Sequence, residues 1–258
     1  MEQVKDWDEA AADYQKVFAY GLNDYNRNLL DFFTGEGLLR PGGRVLDIGC
    51  GVGKYGTYFA ELGCSVTLTD ISPVMLAHAA DNMAAYSTPW RIVQGDFAAL
   101  DPELLSGGEA FDLSIAMMSP AVHDADSVKK MSTLTRGWCF TANFVEWEQP
   151  MRDEFCRRMG LESKSHSSGM AENAAALMRC VIDAGFKPLV KYVPYVWSDE
   201  RSPAEAAEYL MKRCGNAANS PASAARAKKI AAELADTRGI FVDSVYTKVI
   251  WIYWHTEG

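Results

Sequence analysis

Short apolar runs alternate with amphipathic helical patterns through the middle of the chain. The first run is followed by apolar residues at three- and four-residue spacing, namely Tyr55, Tyr58, Phe59 and Leu62. Alternation of this kind predicts βαβ units, which build a mainly parallel sheet with right-handed crossovers. The predicted strands are residues 44–48, 65–69, 90–94, 111–118 and 137–143.

Both ends of the chain carry patterns outside this central alternation. Near the start, Trp7 and Tyr14 belong to a set of apolar residues spaced three or four apart, which predicts helices. Near the end, two more strands are predicted over 189–197 and 246–254, and Pro194 favours an edge position or a bulge for the first. We therefore predict one α/β domain over residues 1–258, with a helical cap (1–39), a central core (40–145) and a final segment of insertions and two strands (146–258).

The first predicted strand leads into three alternating glycines, Gly49, Gly51 and Gly53, and then into a helix. Glycine lets a ligand lie directly against the backbone, where any Cβ would intrude, and the start of a helix offers free N–H groups. The second predicted strand ends on Asp70, and a carboxylate at that position can accept both hydrogen bonds of a ribose diol. This combination predicts a nucleotide-binding site.

The pattern Asp-x-Gly-x-Gly-x-Gly over residues 47–53, followed by Asp70 and by Gly95-Asp96, resembles the class I S-adenosylmethionine-dependent methyltransferases. The resemblance implies a Rossmann-like sheet of seven mostly parallel strands with helices on both faces, in which the last strand lies antiparallel beside the fifth. It also implies S-adenosylmethionine as cofactor, S-adenosylhomocysteine as product, and cofactor binding by the segment 40–145.

The same resemblance assigns roles to individual residues. The glycine loop would hold the methionine end of the cofactor, Asp70 the ribose and Asp96 the adenine amino group, with Ile71 and Phe97 beside the adenine ring. Tyr14 stands where an aromatic residue often lines the pocket, although core packing explains it equally well. The predicted cofactor-binding residues are Asp47, Gly49, Cys50, Gly51, Gly53, Asp70, Ile71, Asp96, Phe97, Met117 and Tyr14.

A dinucleotide-binding oxidoreductase is the competing interpretation of the glycines. Gly51-x-Gly53-x-x-Gly56 satisfies the G-x-G-x-x-G pattern, and Asp70 follows at a suitable distance. The register disfavours an NAD site, because a fingerprint that begins at Gly49, where the apolar strand ends, would place Lys54 at its third glycine.

The loop after the fourth predicted strand would contribute to the acceptor pocket, by the same resemblance. It reads Met-Ser-Pro-Ala instead of the Asn-Pro-Pro type found in some relatives, which disfavours a DNA or glutamine-amide acceptor. His123 is a candidate general base, since an unperturbed histidine pKa of about 6.5 suits a hydroxyl or thiol acceptor, or else a solvent-facing residue near a helix start. Ser119 and Asn143 are candidate substrate contacts.

Charge and composition narrow the expected partners. The formal net charge of −9 would repel a phosphate backbone, so we expect a small-molecule acceptor and no nucleic acid. The chain lacks the apolar run of about 20 residues that a membrane span needs, and its start lacks the apolar stretch of a signal peptide, so we expect a cytoplasmic protein that binds no membrane. Six cysteines and four histidines share no metal-ligand spacing, and no metal is predicted.

Three functions remain open at this stage. The first is methyl transfer to a small molecule by direct in-line displacement, in which the enzyme mainly aligns the acceptor and excludes water. The second is a non-catalytic protein that binds S-adenosylmethionine or S-adenosylhomocysteine as a sensor. The third is a protein methyltransferase, which predicts a long open groove beyond His123.

Overall fold

A computed structural model describes residues 2–19, 21, 23–163, 169–213 and 220–257. The helices are α1 (Glu2–Ala19), α2 (Asp24–Gly35), α3 (Lys54–Glu61), α4 (Pro73–Met83), α5 (Pro102–Ser106), α6 (Ala125–Thr133), α7 (Pro150–Met159), α8 (Met170–Asp183), α9 (Pro203–Arg213) and α10 (Pro221–Glu233). The strands are β1 (Arg44–Ile48), β2 (Ser65–Asp70), β3 (Trp90–Gln94), β4 (Phe111–Met117), β5 (Thr135–Glu148), β6 (Leu189–Arg201) and β7 (Phe241–His255).

The strands form one seven-stranded sheet in the order β3-β2-β1-β4-β5-β7-β6. Strands β1 to β5 pair in parallel. β7 runs antiparallel to β5, as two hydrogen bonds show. Near the start of β5, Gly137 O accepts the backbone N–H of Thr256, and further along β5, Thr141 Oγ1 donates to Ile252 O, which lies earlier in β7. This order confirms the predicted Rossmann-like sheet, including the insertion of the last strand beside the fifth and the edge position of the strand that contains Pro194.

The last three strands are longer than predicted. β5 continues five residues beyond Asn143, so the prediction that the strand ends there is wrong. This extension contains two glutamates, a residue type that is uncommon in strands. One of them, Glu146, forms an ion pair with Lys248 of β7 at 2.5 Å. A cross-strand ion pair lets an exposed carboxylate occupy a strand position.

The chain divides into two compact units. Unit 1 comprises residues 1–143, 172–192 and 250–258, and unit 2 comprises residues 144–171 and 193–249. The core of unit 1 contains the fully buried rings of Phe33, Phe59, Phe140 and Trp251, which pack against one another around β5 and β7. All predicted cofactor and acceptor residues belong to unit 1.

Unit 2 has a core of its own, built by three helices. Its buried side chains come from α7, α9 and α10, and they include Phe155, Leu210 and Ile230, with Phe241 at the start of β7. Helices α9 and α10 each begin with a Ser-Pro pair, and Ser220 caps α10 by accepting the backbone N–H of Ser223 at 3.2 Å. A serine at the cap followed by a proline is typical of a helix start.

Among the described helices, none combines the length and the apolar character that crossing a bilayer requires.

Candidate active site

The loop after β1 is tied to the end of the neighbouring strand. The backbone N–H groups of Gly49 and Cys50 both donate to Thr69 O, at 2.8 and 3.0 Å. Gly53 then adopts a left-handed conformation (φ 78°) immediately before α3. The loops that follow β1 and β2 therefore lie side by side at the carboxyl ends of these two parallel strands. This is the edge at which open α/β sheets bind their ligands.

The three glycines of this turn serve different purposes. A Cβ at Gly49 would lie 1.9 Å from Ser119 Oγ, so this glycine lets the loops after β1 and β4 touch. A Cβ at Gly53 would lie 3.0 Å from Ala79 Cβ, which packs the turn against α4. Gly51, in contrast, has only Met75 Sδ at 3.8 Å, and its φ of 53° is the property that favours glycine.

Asp70 binds the glycine turn through its side chain. Its Oδ2 accepts the backbone N–H of Gly51 at 2.9 Å, and its Oδ1 accepts that of Ser72 at 2.9 Å. Burial raises the pKa of Asp70, and the backbone N–H groups of Ser72, Gly51 and Ile71 oppose that shift. An ionised carboxylate offers about four acceptor sites, so Asp70 can still accept from a further donor such as a ribose hydroxyl.

Asp47, on β1, is a buried carboxyl without a normal hydrogen bond. Neither carboxyl oxygen has a partner within normal hydrogen-bond geometry among the described residues, and the residue is 1% exposed. Burial, assisted by the charge of Asp70, raises the pKa of Asp47 to about 7. The backbone N–H of Gly56 interacts with the carboxyl and opposes the rise of its pKa. Burial, together with the charges of Asp47 and Asp70, also raises the pKa of the nearby Cys50 thiol, which is therefore protonated at neutral pH. Unpaired buried carboxyls with shifted pKa values are typical of functional sites.

The loop after β3 joins the same edge and is held by a lysine. Gly95 N donates to Asp70 O at 3.0 Å, which brings the predicted adenine residues to Asp70. Asp96 is exposed, whereas Phe97 is buried. Lys130, on α6, donates to the carbonyl oxygens of Phe97, Ala98 and Leu100, and its ammonium lies 5.1 Å from the Phe97 ring centroid. The role of Lys130 could not be predicted from the sequence, because every residue has the kind of backbone oxygen that this lysine binds.

Helix α1 packs beside the glycine turn. Ala11 of α1 contacts a small apolar cluster with Val52 and Met75, and Trp7 packs against it. The Gln15 side-chain amide exchanges hydrogen bonds with that of Asn82, whose Nδ2 also donates to Val52 O at 2.8 Å. The predicted helical cap thus contacts the loop that follows β1.

Two of the predicted lining residues are accessible. Tyr14, on α1, is 47% exposed, and its ring meets the edge of Trp7 at a centroid distance of 6.3 Å. Ile71 is half-buried between Asp70 and the helix cap Ser72. Their assignment to the cofactor stays a prediction.

The end of β4 holds an unusual backbone conformation. Met118 has φ 53°, the one positive φ of a non-glycine residue in the described part of the chain. It lies between Met117 and Ser119, both buried, and Ser119 is the residue that contacts Gly49. Strained residues of this kind cluster at functional sites, where the surrounding structure holds them.

His123 and Asn143 lie apart from these direct contacts. His123 has a side chain that is 68% exposed, with Nδ1 2.9 Å from Pro120 O. A carbonyl only accepts, so Nδ1 donates to Pro120 O, and Nε2 lies 3.7 Å from Asp124 Oδ2. Asn143 is half-buried in the interior of β5. For both residues, a role toward the acceptor stays a prediction.

The segment that contains the loops after β1, β2, β3 and β4 is similar to known proteins. Residues 45–136 match the family model described as a methyltransferase domain. A 90-residue stretch is 32% identical to ribosomal RNA small subunit methyltransferase C of Alcanivorax borkumensis, covering 34% of this chain and 27% of that protein. An 87-residue stretch is 34% identical to ribosomal RNA large subunit methyltransferase E of Sorangium cellulosum, covering 33% and 37%. This chain therefore spans about a third of the length of these relatives.

A solved structure shares the fold over most of both chains. The precorrin 8W decarboxylase of Methanobacterium thermoautotrophicum superimposes with a TM-score of 0.52, at 14% identity and with 90% coverage of each chain. That likeness concerns the fold alone.

The relatives correct one expectation. The prediction that nucleic acid is not a partner is wrong, because relatives of this domain are ribosomal RNA methyltransferases by name. Net charge is a sum over the whole chain and does not describe the surface around one site. Another relative, 37% identical over 78 residues, is malonyl-[acyl-carrier protein] O-methyltransferase of Enterobacter lignolyticus, so the acceptors of the relatives differ.

The family match, the strand order and the glycine turn with its two carboxylates agree with one another. Residues 45–136 of this chain are thus similar to a methyltransferase domain.

Proposed function

We propose that this chain binds S-adenosylmethionine along the edge formed by the loops after β1, β2 and β3 and transfers its methyl group to an acceptor beside the loop after β4. The observation that carries the proposal is the convergence of these loops through direct contacts. Asp70 accepts the Gly51 N–H, Gly95 N donates to Asp70 O, and Gly49 lies against Ser119.

The residues fit the cofactor in two respects. Among the described residues, a Cβ at Gly51 would meet only Met75 Sδ, at 3.8 Å, so a ligand could approach the backbone here. The buried oxygens of Asp47 have no partner within normal hydrogen-bond geometry among the described residues, and a cationic ligand would favour their ionised form. In this proposal the turn Gly49–Gly53 receives the methionine end, Asp70 the ribose and Asp96 the adenine amino group.

When bound, S-adenosylmethionine supplies an activated methyl group on a positively charged sulfonium. The protein's task is then to orient the acceptor and to exclude water. Asp70 and the backbone of Gly51 fix the turn, while Lys130 holds the loop after β3 in place. Ser119, a buried residue of the loop after β4, packs against Gly49 in the loop after β1 and borders the proposed acceptor side of the site.

The proposal also concerns the molecule that accepts the methyl group. We propose a small molecule that contacts Ser119 and Asn143, both of which have limited accessible surface suited to a compact ligand. RNA is the second candidate, because the named relatives include ribosomal RNA methyltransferases. Incubation with S-adenosylmethionine carrying a labelled methyl group, in parallel with a metabolite extract and with total RNA, separates the two. Binding of the cofactor without turnover in either arm would instead support a sensor and contradict methyl transfer.

His123 would act as general base if the acceptor arrives protonated. Its side chain is 68% exposed, and a general base contributes about 10²–10⁴-fold to rate. Replacement of His123 by Gln is expected to lower kcat by that factor at unchanged cofactor affinity. A kcat equal to that of the wild type would exclude this role.

A further inference from the structure

Lys54 is a charged residue at the glycine turn that the proposed function leaves without a role. It follows Gly53 directly and is the first residue of α3. Its side chain is half-buried, and no hydrogen bond or ion pair joins its ammonium to any other residue in the described ranges. Burial lowers the pKa of Lys54, so the ammonium itself, and not only its carbon chain, is partly withdrawn from water. That withdrawal is costly for a charge without a counter-charge.

The position of Lys54 at a helix start adds to this cost. The first turn of a helix carries a partial positive charge, which favours anions and disfavours cations. The first turn of α3 contains no acidic residue, and Gly53 has no side chain that could cap the helix. Burial and the helix dipole therefore both act against the ammonium. An anion that binds beside Lys54 would relieve both effects.

The two acids beside the glycine turn do not supply this anion. Asp47, on β1, and Asp70, at the end of β2, form no ion pair with Lys54 in the part of the chain that the structure describes. The turn is thus flanked by a buried acid on the strand side and by an unpaired base on the helix side. An amino-acid zwitterion carries one charge of each sign and matches this arrangement.

We propose that Lys54 binds the carboxylate at the methionine end of the cofactor. The inference rests on the proposed function, in which the turn Gly49–Gly53 receives that end. A lysine ammonium is a compact charge with three donors on a flexible stem, so it can reach a carboxylate without the fixed geometry of an arginine fork. Lys54 would then select adenosyl ligands that possess an amino-acid end over those that lack the carboxylate.

The test compares two ligands by calorimetry on the full chain. One is S-adenosylhomocysteine, and the other is its decarboxylated analogue, in which a hydrogen replaces the carboxylate and the amine remains. The wild type is expected to bind S-adenosylhomocysteine about 10- to 100-fold more tightly, as for a hydrogen bond between charged groups. Lys54→Met should lose this preference, because it weakens binding of S-adenosylhomocysteine and leaves that of the analogue unchanged.

The stability of the ligand-free protein separates a binding role from a structural one. Removal of an unpaired, half-buried cation from a helix start should leave the free energy of unfolding unchanged or raise it. Urea unfolding of the wild type and of Lys54→Met measures this difference. A clear loss of stability in the variant would show that the ammonium has a partner within the protein, and it would overturn the proposal.

Two further variants assign the effect to the charge at residue 54. Lys54→Arg keeps the charge and should retain a preference for the carboxylated ligand. Lys129→Met removes an exposed lysine of α6 and should bind both ligands as the wild type does. Equal weakening of both ligands by Lys54→Met, or the same loss of preference in Lys129→Met, would overturn the proposal. A wild type that binds both ligands equally overturns this proposal alone, whereas a wild type that binds neither also overturns the proposed function.

Discussion

Asp70 fastens the glycine turn of the neighbouring strand: its Oδ2 accepts the backbone N–H of Gly51 at 2.9 Å. Its other oxygen accepts the N–H of Ser72, the residue that caps α4. One carboxylate thus holds the loops after β1 and β2 in register before any ligand arrives. Preorganisation of this kind lowers the cost of ordering a site on binding.

Replacing Asp70 by Asn should weaken both the fold and cofactor binding. An amide keeps one acceptor oxygen, so one of the two backbone N–H groups loses its partner, at a cost of about 1–2 kcal/mol. We expect that loss in the urea-derived free energy of unfolding, together with weaker S-adenosylhomocysteine binding. Asp96→Asn is the comparison, since Asp96 is exposed and accepts only the N–H of Ala98. It should lower affinity with little loss of stability, and a stability loss equal to that of Asp70→Asn would contradict this division of roles.

Asp47 should make the ligand-free protein less stable as the pH rises. Its folded pKa of about 7 lies above the ordinary value of an aspartate, so the folded protein holds the proton more tightly than the unfolded chain. Stability from this group is complete below the unfolded pKa, falls as the pH rises between the two values and is lost above pH 7. The slope is about 1.4 kcal/mol per pH unit in the middle of that window.

Urea unfolding of the wild type and of Asp47→Asn from pH 5 to pH 8 measures this effect. The free energy of unfolding of the variant, which cannot titrate there, should decline less steeply than that of the wild type. Two parallel curves would show that Asp47 has an ordinary pKa.

Gly49→Ala should destabilise the protein more than a glycine replacement in open space. The new Cβ would overlap Ser119 Oγ and also occupy a left-handed conformation with φ 68°. Gly63→Ala isolates the second effect, because Gly63 has φ 77° and nothing within 4 Å of a Cβ. Left-handed strain alone costs about 1–2 kcal/mol.

The double variant Gly49→Ala with Ser119→Gly removes the overlapping atoms and should recover part of the lost stability. Thermal unfolding of the four proteins measures the difference. If Gly49→Ala and Gly63→Ala cost the same, the contact between the loops after β1 and β4 does not constrain residue 49.

Lys130→Met should loosen the loop after β3. Three carbonyl oxygens lose a charged donor, and we expect faster amide hydrogen exchange over residues 96–100 together with weaker S-adenosylhomocysteine binding. Lys129→Met is the matched control, since Lys129 is the exposed neighbour on the same helix. Equal exchange rates in the two variants would contradict the positioning role of Lys130.

The part of the fold that could be predicted rests on local signals. The strands before Gly49 and Asp70 are short apolar runs that end at glycine or aspartate, and Ser72 with Pro73 marks the next helix start. Parallel βαβ connections then bring the ends of these strands to one edge without further information. For this reason the sheet order and the position of the glycine turn were predictable.

The remaining features depend on tertiary contacts. In the last five residues of β5, Glu146 occupies a strand position and forms an ion pair with Lys248 of β7, a contact that the local sequence does not reveal. The contact of Gly49 with Ser119 joins loops that are distant in sequence, and Lys130 binds backbone oxygens that every residue possesses. The acceptor was beyond prediction for a related reason, since net charge does not describe the surface around the site.

Calorimetric titration with S-adenosylhomocysteine tests the central claim most directly. The account predicts saturable binding at one site per chain for the wild type and a clear loss of affinity for Asp70→Ala, whose side chain can no longer hold Gly51 or accept a ribose hydroxyl. No heat with the wild type, or equal affinity for wild type and Asp70→Ala, would contradict it.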